Sequence, residues 1–292
     1  MPLRGIKPEV IAPAKPKLML SGASGVGKTS FATKFPKPYF IDTEGGATRE
    51  QYKQELIASG GMYMGKDQGS QDFNTVVEEV KTLATTKHEF KSLIIDSFTK
   101  LYGIAAAIAE ATVGNDYGRD KKEANKPTRQ LMRWIEAMDL SVILICHKKD
   151  KWARNGKSQE PVYAGTTFDG YDKLEYDLDL WLEVQKVGKI RTYTVKKSRI
   201  QTFEEGAEHP LEYKKFSELY GEQIINQEVK PVEMVTDAQL AEIQHLVQVV
   251  AIEPGRIDAF LKKNNADEYA DLTSDKAAFL INELKKKVAG VK

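Results

Sequence analysis

The chain has 292 residues, of which 41% are hydrophobic and 29% are charged, and 43 basic against 42 acidic residues give a formal net charge of +1. This composition is typical of a folded globular protein with room for a nucleotide-binding domain and a smaller module, so a disordered chain is excluded. The apolar run at residues 142–146 has the length of a strand and is far shorter than the ~20 residues of a membrane span. Because the proline-rich start also lacks an apolar signal region, we expect a cytoplasmic protein with no membrane partner.

Charge and cysteine content narrow the possible sites. Because the net charge is close to zero, a surface that binds nucleic acid must be a local one. The sequence has one cysteine, Cys146, which excludes an internal disulfide and a zinc site built on cysteines. We expect this cysteine to be a small buried residue on a strand.

The first 16 residues carry four prolines, at positions 2, 8, 13 and 16, and predict an extended arm. Such an arm is either a loose leader or a segment whose Ile6, Val10 and Ile11 dock on a neighbouring subunit. We favour the leader, because chain termini are usually poorly ordered.

A phosphate-binding loop follows the first predicted strand, residues 18–20. The pattern GxxxxGK[ST] is matched at every fixed position, and a short helix at 30–35, ended by Pro36, comes after it. In such a loop Lys28 reaches the β- and γ-phosphates of ATP, the Thr29 hydroxyl binds Mg²⁺, and glycines let backbone N–H groups surround the phosphate oxygens. The predicted nucleotide-binding residues are Gly22, Ala23, Ser24, Gly25, Val26, Gly27, Lys28, Thr29 and Ser30.

Apolar strands alternate with amphipathic helices after this loop. We predict strands at 39–42, 92–97 and 141–146, and helices at 74–87 and about 127–138. Strands that are apolar throughout belong to a parallel sheet covered by helices on both faces. The predicted fold class is therefore α/β, with a P-loop NTPase core.

Acidic residues stand at two strand ends. Asp96 closes its strand downstream of the loop, which is the Walker B arrangement that brings a carboxylate to the metal beside the phosphates. Asp42 is the alternative metal-side acid, as in P-loop nucleotide kinases. We favour Asp96, because its strand is the more apolar one and because a second acid, Glu44, follows Asp42. Glu44 then orients and deprotonates the attacking water.

These motifs stand in an order that resembles RecA-type recombinases. The stretches are FIDTEGG (40–46), LIIDS (93–97), TRQLMRW (128–134), VILICHKK (142–149) and YTVKKSR (193–199). The resemblance covers residues 17–220 and shows no N-terminal polymerisation domain, so the chain is similar to the phage-borne RecA-like ATPases of the Sak-four group and to the phage nucleotide-binding AAA family. It implies a Mg-dependent ATPase that forms a homo-oligomer, as a ring or a filament, and binds single-stranded DNA.

The resemblance also assigns roles by position. Glu44 is the implied catalytic glutamate, and His147 stands where the family commonly has a glutamine that senses the γ-phosphate. Lys197 and Arg199 match a basic pair that crosses a subunit interface to the neighbour's γ-phosphate. The alternatives are a histidine exposed at a strand end and a solvated basic face, which charge runs usually form.

Two stretches are predicted to contact single-stranded DNA, and the resemblance places mobile DNA loops at both. We expect one loop at 114–126 and a second at 148–157, which has a charge of +4. Basic residues around an aromatic ring suit a groove that follows phosphates and stacks bases; for Trp152 the alternative is a ring packed on the core. The predicted DNA-binding residues are Arg119, Lys121, Lys122, Lys149, Lys151, Trp152, Arg154 and Lys157.

After the predicted ATPase core (17–221) and a linker (222–234), we expect a helical module at 235–292. A capping box at Thr236 and Gln239 begins its first helix. Two more helices are expected at about 256–263 and from 273 or 274 to 287. The module resembles a C-terminal domain of several phage DNA-metabolism proteins, and a single-strand-binding protein or another replication protein is a candidate partner. Solvated helix ends explain its lysines equally well.

The expected function is that of an ATPase that assembles on single-stranded DNA and promotes annealing or recombination, with hydrolysis stimulated by DNA. A ring-forming DNA motor or loader is an alternative that shares every nucleotide-binding residue. A nucleotide-sensing module that recruits a replication protein, and a small-molecule kinase, are further alternatives.

Overall fold

The computed structural model describes residues 14–45, 50–113, 119–154, 161–250, 252, 254–264 and 266–290. Most of the predicted arm, with Ile6, Val10 and Ile11, lies outside the described residues, as does Lys157. The strands are β1 Lys17–Gly22, β2 Pro38–Asp42, β3 Met62–Met64, β4 Ser92–Asp96, β5 Ser141–Arg154, β6 Pro161–Asp169, β7 Leu180–Val187, β8 Ile190–Ser198 and β9 Glu208–Pro210. The helices are α1 Lys28–Ala32, α2 Glu50–Ser59, α3 Phe73–Thr85, α4 Phe98–Val113, α5 Arg119–Ala137, α6 Leu174–Asp177, α7 Tyr213–Tyr220, α8 Glu222–Ile225, α9 Asp237–Val250, α10 Pro254–Lys263 and α11 Ser274–Gly290.

Over the described residues, nine strands form one sheet in the order β3-β2-β4-β5-β1-β7-β8-β9, with β6 paired to β5 outside this path. The strands from β3 to β7 in that order run parallel, whereas β8 and β9 are antiparallel. Strand β1 lies in the middle of the sheet, and all its residues are buried. The C-terminal ends of the parallel strands meet at one edge, called here the carboxyl edge, and their starts form the amino edge.

Helices cover both faces of the sheet. On one face α3, α4 and α5 pack through a cluster that includes Val80, Leu101 and Trp134. On the other face α1 and α7 contribute Phe31 and Phe216. Because both faces are covered, the central strands are apolar throughout. The predicted fold class is confirmed: an α/β core with a mainly parallel sheet covered by helices, and an all-α C-terminal region.

Helix α5 begins at Arg119, earlier than predicted, and Pro127 lies inside it. The prediction of a loop at 114–126 is therefore wrong for residues 119–126, and the preceding five residues lie outside the described part of the chain. Proline removes one backbone hydrogen bond and disfavours a helix locally. Tertiary contacts with α4 stabilise it here: the Tyr102 hydroxyl donates to Asn125 Oδ1 (3.0 Å).

The predicted loop at 148–157 is also wrong for residues 148–154, which belong to a strand, and its last three residues lie outside the described part of the chain. Strand β5 continues beyond the sheet to Arg154 and pairs with β6 as an antiparallel hairpin, called here the hairpin arm (residues 147–154 and 161–169). Most of the described side chains of the arm are exposed on both faces, so the segment has no apolar alternation to mark it as a strand.

Helices α4 and α5 extend beyond the carboxyl edge. Helix α4 starts at that edge, directly after β4, whereas the Met138 carbonyl that follows α5 accepts a hydrogen bond from Lys17 Nζ at the amino edge (2.6 Å). Asn125 lies about 18 Å along α5 from the C-terminal end of that helix, which is at the amino edge. Because β4 is roughly 16 Å long, Asn125 is level with the carboxyl edge. Since Asn125 contacts Tyr102 near the start of α4, the remaining parts of both helices project past the carboxyl edge. The hairpin arm projects past the same edge.

Helices α9 to α11 have a buried cluster of their own, which includes Ile243, Leu261 and Leu280. The predicted capping box is confirmed: Gln239 N–H donates to Thr236 Oγ1 (3.2 Å), and Thr236 N–H donates to Gln239 Oε1 (3.0 Å). Among the described residues, no helix is long and apolar enough to cross a membrane.

This helical region is fastened to the core. Val232 N–H donates to the Ala84 carbonyl of α3 (2.7 Å), and an Arg133 guanidinium nitrogen donates to the Asp271 carbonyl (2.6 Å). The Asp271 carboxylate forms an ion pair with Lys81 (3.2 Å). The predicted linker contains the short helix α8, and the proposed division into domains stays a prediction.

Candidate functional site

The phosphate loop joins β1 to α1 at the carboxyl edge. Gly25 and Gly27 have φ angles of 74° and 107°, in the left-handed region that favours glycine. At Gly22 the constraint is space, because a Cβ there would lie 2.6 Å from the Val184 carbonyl oxygen of β7. The glycines of the motif thus permit both the turn and its close approach to the sheet.

Lys28 begins α1 and is buried, with 8% of its surface exposed. Its Nζ donates to the carbonyl oxygens of Gly22 and Ala23, at 2.8 Å each. Burial lowers the pKa of Lys28, and the nearby carboxylates of Asp96 and Glu44 oppose that shift. An anionic phosphate is a stronger acceptor than a neutral carbonyl, so the lysine is placed to exchange its carbonyl partners for a phosphate.

Thr29 and Asp96, the predicted metal ligands, are in contact. Thr29 Oγ1 donates to Asp96 Oδ2 (2.6 Å). Burial raises the pKa of Asp96 to about 6; the Thr29 hydrogen bond opposes this rise, and the carboxylates of Glu44 and Asp42 add to it. A hydroxyl and a carboxylate are the hard oxygen ligands that Mg²⁺ prefers, so this donor set fits that cation.

Asp42 is buried at the end of β2 and is occupied by the turn that follows. Its Oδ1 accepts the backbone N–H groups of Glu44 (3.0 Å) and Gly45 (2.7 Å), and its Oδ2 accepts the Tyr63 hydroxyl (3.3 Å). These bonds position the turn that carries Glu44. The arrangement favours Asp96 over Asp42 as the metal-side acid.

The predicted general base Glu44 and the predicted sensor His147 are in contact. Glu44 Oε1 lies 2.6 Å from His147 Nε2 and accepts a hydrogen bond from Ser97 Oγ, also at 2.6 Å. The His147 backbone N–H donates to Thr99 Oγ1 (2.9 Å). Sequence reasoning missed Ser97 and Thr99 as site residues, although their place directly after Asp96 was a signal.

The basic pair Lys197 and Arg199 lies away from the phosphate loop of its own chain. Lys197 is paired with Trp181 on β7, and Trp181 is level with Met19, near the amino edge. The Lys197 ammonium donates to the Leu178 carbonyl, and the Arg199 guanidinium donates to a carbonyl of α6. The structure therefore does not bring this pair to the nucleotide site of the same chain.

A different basic residue of the same hairpin, Arg191, contacts the phosphate loop. A Cβ on Gly27 would lie 3.0 Å from Arg191 Cδ and 3.3 Å from Leu211 Cδ2. The two side chains border an open cavity of about 710 Å³ that also reaches Phe31 and Tyr213. Sequence reasoning did not single out Arg191, because nothing local indicates that the β7–β8 turn lies over Gly27.

The predicted DNA-binding residues divide between two projections past the carboxyl edge. On the hairpin arm, Trp152 is 60% exposed and packs edge to face on Tyr163 with ring centroids 5.7 Å apart, which excludes a ring packed on the core. Lys151 is exposed, and Lys149 forms an ion pair with Asp169 (3.1 Å). The other residues are placed by backbone alone: Arg154 ends β5, and Arg119, Lys121 and Lys122 stand in the first turn of α5.

Comparison with known proteins adds a family. A family model described as AAA domain, AAA_24, matches residues 14–207. No curated protein matches the chain. Among solved structures, the chain is similar to the crystal structure of the RadB recombinase, at 18% identity and a TM-score of 0.41, over 67% of this chain and 86% of that one. Since the family model covers more than half of the chain and includes the whole phosphate loop, the protein belongs to the AAA_24 family of AAA domains.

Proposed function

We propose that this protein is a Mg-dependent ATPase that assembles on single-stranded DNA and promotes recombination or annealing, as phage-type RecA-like ATPases do. One observation carries the proposal: Lys28, the Thr29–Asp96 pair and Glu44 converge at the carboxyl edge. A loop with only a structural role would not need Glu44 as a second carboxylate close to Lys28, Thr29 and Asp96.

In this proposal Lys28 leaves the carbonyls of Gly22 and Ala23 and binds the β- and γ-phosphates. Backbone N–H groups of residues 23–29 surround the same phosphates. Thr29 and Asp96 would hold Mg²⁺, which when bound neutralises charge on the phosphates. Glu44 orients the attacking water and accepts its proton.

Contacts of Glu44 link the nucleotide site to the hairpin arm. Ser97 and His147 both contact Glu44 Oε1 at 2.6 Å, so this oxygen must leave these partners before it can accept a proton from water, and slow basal hydrolysis is expected. His147 is also the first residue of the arm, opposite Asp169 of β6. DNA bound to the arm would therefore act on Glu44 through one side chain, which is our account of stimulation by DNA.

We assign DNA binding to the hairpin arm and to the projecting end of α5. The exposed Trp152 and Tyr163 offer aromatic faces on which bases stack, and each stacked base contributes about 1–3 kcal/mol. Lys149 and Lys151 lie on the same arm and would contact phosphates. The two projections past one edge give a strand two points of contact.

We also propose a homo-oligomer, because the Lys197 and Arg199 pair lies near the amino edge, away from its own phosphate loop. In a ring or a filament, the amino-edge side of one subunit can face the carboxyl edge of the next. The pair then contacts a neighbour's γ-phosphate. In this scheme residues 17–221 are the ATPase domain and residues 235–292 a separate module.

The test is the rate of phosphate release with and without single-stranded DNA. We expect DNA to raise the wild-type rate, and Lys149→Gln with Lys151→Gln to remove the stimulation while the basal rate stays. Lys53→Gln with Lys215→Gln, which removes two exposed charges elsewhere, is the control. A basal rate that DNA does not change would contradict the proposal. It would favour the second candidate function, a nucleotide-sensing module. The contacts of Glu44 with Ser97 and His147 also fit that function, because they occupy the carboxylate oxygen.

A further inference from the structure

We propose that α5 and the C-terminal helices together form a second contact for the phosphate backbone of single-stranded DNA, called here the basic groove (Lys126, Arg129, Arg133, Lys262 and Lys263). The inference rests on the proposed function, because it takes DNA as the ligand of the protein. It gives the C-terminal helices a role that the nucleotide site does not require.

The first observation is a stripe of basic positions along α5. These positions are spaced three, four, three and four residues apart, which at 3.6 residues per turn places them within an arc of about 80° and over a length of about 21 Å. The face opposite to this arc packs on the core with Leu131 and Ile135, both fully buried. The stripe consists of Arg119, Lys122, Lys126, Arg129 and Arg133.

The second observation is that three residues of the stripe, Lys126, Arg129 and Arg133, line open space bordered by the C-terminal helices. An open cavity of about 600 Å³ lies between Lys126 and Arg129 of α5 and Lys262 at the end of α10. A second cavity of about 710 Å³ lies next to α5 between Arg133 and Lys263, and its lining balances three basic residues against three acids, Glu136, Glu233 and Asp275. Two parts of the chain that are distant in sequence thus bring basic side chains to one groove.

Charge in the first cavity favours an anion. Neither Arg129 nor Lys262 has a carboxylate within 4.0 Å among the described residues, and the cavity is lined by one acid, Asp267. Lys126 forms an exposed ion pair with Glu123 (2.5 Å), of a kind that contributes little to stability and that a phosphate can displace. The Arg133 bond to the Asp271 carbonyl fixes the spacing between the two walls.

The chemistry favours a nucleic-acid strand over an acidic protein segment. Protein partners usually bind through aromatic or large aliphatic anchors in a pocket, and the first cavity offers only Pro127 and Ala266 as apolar lining. The stripe also starts on the part of α5 that projects past the carboxyl edge, the edge past which the hairpin arm projects. The arm and the start of the stripe thus lie past the same edge, so one strand can contact both.

The test compares three lost charges in the groove with three lost elsewhere. The groove variant is Lys126→Gln, Arg129→Gln and Lys262→Gln, and the control is Lys53→Gln, Lys87→Gln and Lys215→Gln, all exposed. Affinity for a labelled oligothymidylate is measured over a salt series. The logarithm of the binding constant falls linearly with the logarithm of the salt concentration. The loss of three phosphate contacts should make this slope shallower by about 2, at about 0.7 for each contact, and should weaken binding about tenfold at physiological salt. Lys262→Gln alone should lower the slope by about 0.7.

Three results would contradict the proposal that the basic groove binds single-stranded DNA. If the groove variant matches the control while Lys149→Gln with Lys151→Gln weakens binding, the arm binds DNA and the groove does not. If the groove variant loses affinity for a polyglutamate peptide and keeps it for DNA, the groove binds an acidic protein segment instead. If the wild type binds no DNA but still binds ATP, the DNA part of the proposed function fails together with the groove.

Discussion

Two buried lysines stand near opposite ends of β1, Lys17 at its start and Lys28 after the loop that follows it, and their hydrogen-bond partners differ. Lys17, at the amino edge, is 9% exposed, and Lys28, at the carboxyl edge, is 8% exposed. Each ammonium group donates to two backbone carbonyls. For Lys17 these are the carbonyls of Met138 and Leu140, at 2.6 Å each, and for Lys28 they belong to its own loop, at 2.8 Å each.

The partners decide what each lysine can do. Lys17 connects β1 to the turn between α5 and β5, more than 120 positions away, so it ties distant parts of the core together. Burial lowers its pKa to about 7, against the carboxylates of Asp139 and Asp179. Lys28 is held by neighbours five and six positions away in a turn that faces the open edge. The same residue type at the same burial is structural at one edge and available to a ligand at the other.

The largest expected effect is that of Lys28→Ala. If this variant kept its activity, the contrast between Lys28 and Lys17 would be wrong. We expect ATP turnover to fall by at least about 10²–10³-fold, because Lys28 carries the positive charge that the loop itself presents to the β- and γ-phosphates. The melting temperature should change little, since both hydrogen bonds described for the Lys28 ammonium go to carbonyls of its own loop. Phosphate release and thermal melting measure the two effects, and wild-type turnover in the pure variant would contradict the assignment.

The amino edge can be tested for a role in the neighbour's site. Arg199→Ala should bind ATP normally but hydrolyse it about 10³-fold more slowly, because a trans-acting arginine stabilises the transition state. Mixing this variant with Lys28→Ala should restore part of the activity, because a mixed interface joins an intact loop to an intact Arg199. No recovery at any mixing ratio would mean that the site is completed within one chain.

A smaller effect concerns Lys17 and the pH dependence of stability. The unfolded chain keeps the lysine proton up to its ordinary pKa of 10.5, whereas the folded protein releases it above about 7. The unfolded state therefore binds more protons in this window, and the free energy of unfolding should rise with pH by up to about 1.4 kcal/mol per unit. Lys17→Met should lack this rise.

Urea unfolding of Lys17→Met and of the wild type at several pH values between about 7 and 9 measures this difference. Subtracting the two curves removes the contribution of the other titrating groups. Parallel curves would show that Lys17 keeps its proton throughout. Unchanged affinity for ATP is expected in this variant, in contrast to Lys28→Ala.

The sequence was sufficient for the parts of the site that local rules govern. The phosphate loop is contiguous, Asp96 ends one apolar strand and Glu44 follows another, so their meeting at one edge follows from a parallel sheet. The contact between Arg191 and Gly27 depends on a β-hairpin turn folding over a loop more than 160 positions earlier, and no local pattern marks it.

The two loop predictions, at 114–126 and 148–157, failed for a related reason. The hairpin arm is stabilised by pairing of residues 147–154 with 161–169, and it lacks the buried face that gives a strand its alternation. The first turns of α5 are stabilised by α4, across a proline that the local sequence counts against a helix. In both cases a tertiary contact outweighed local propensity.

The central claim is that the carboxyl edge hydrolyses ATP with Glu44 as the base, and single-turnover hydrolysis by Glu44→Gln tests it most directly. The amide keeps the size of the side chain but cannot accept the water's proton, so we expect near-normal ATP binding and hydrolysis slower by about 10²–10⁴-fold. Hydrolysis at the wild-type rate, or loss of ATP binding with no separate effect on turnover, would contradict the account.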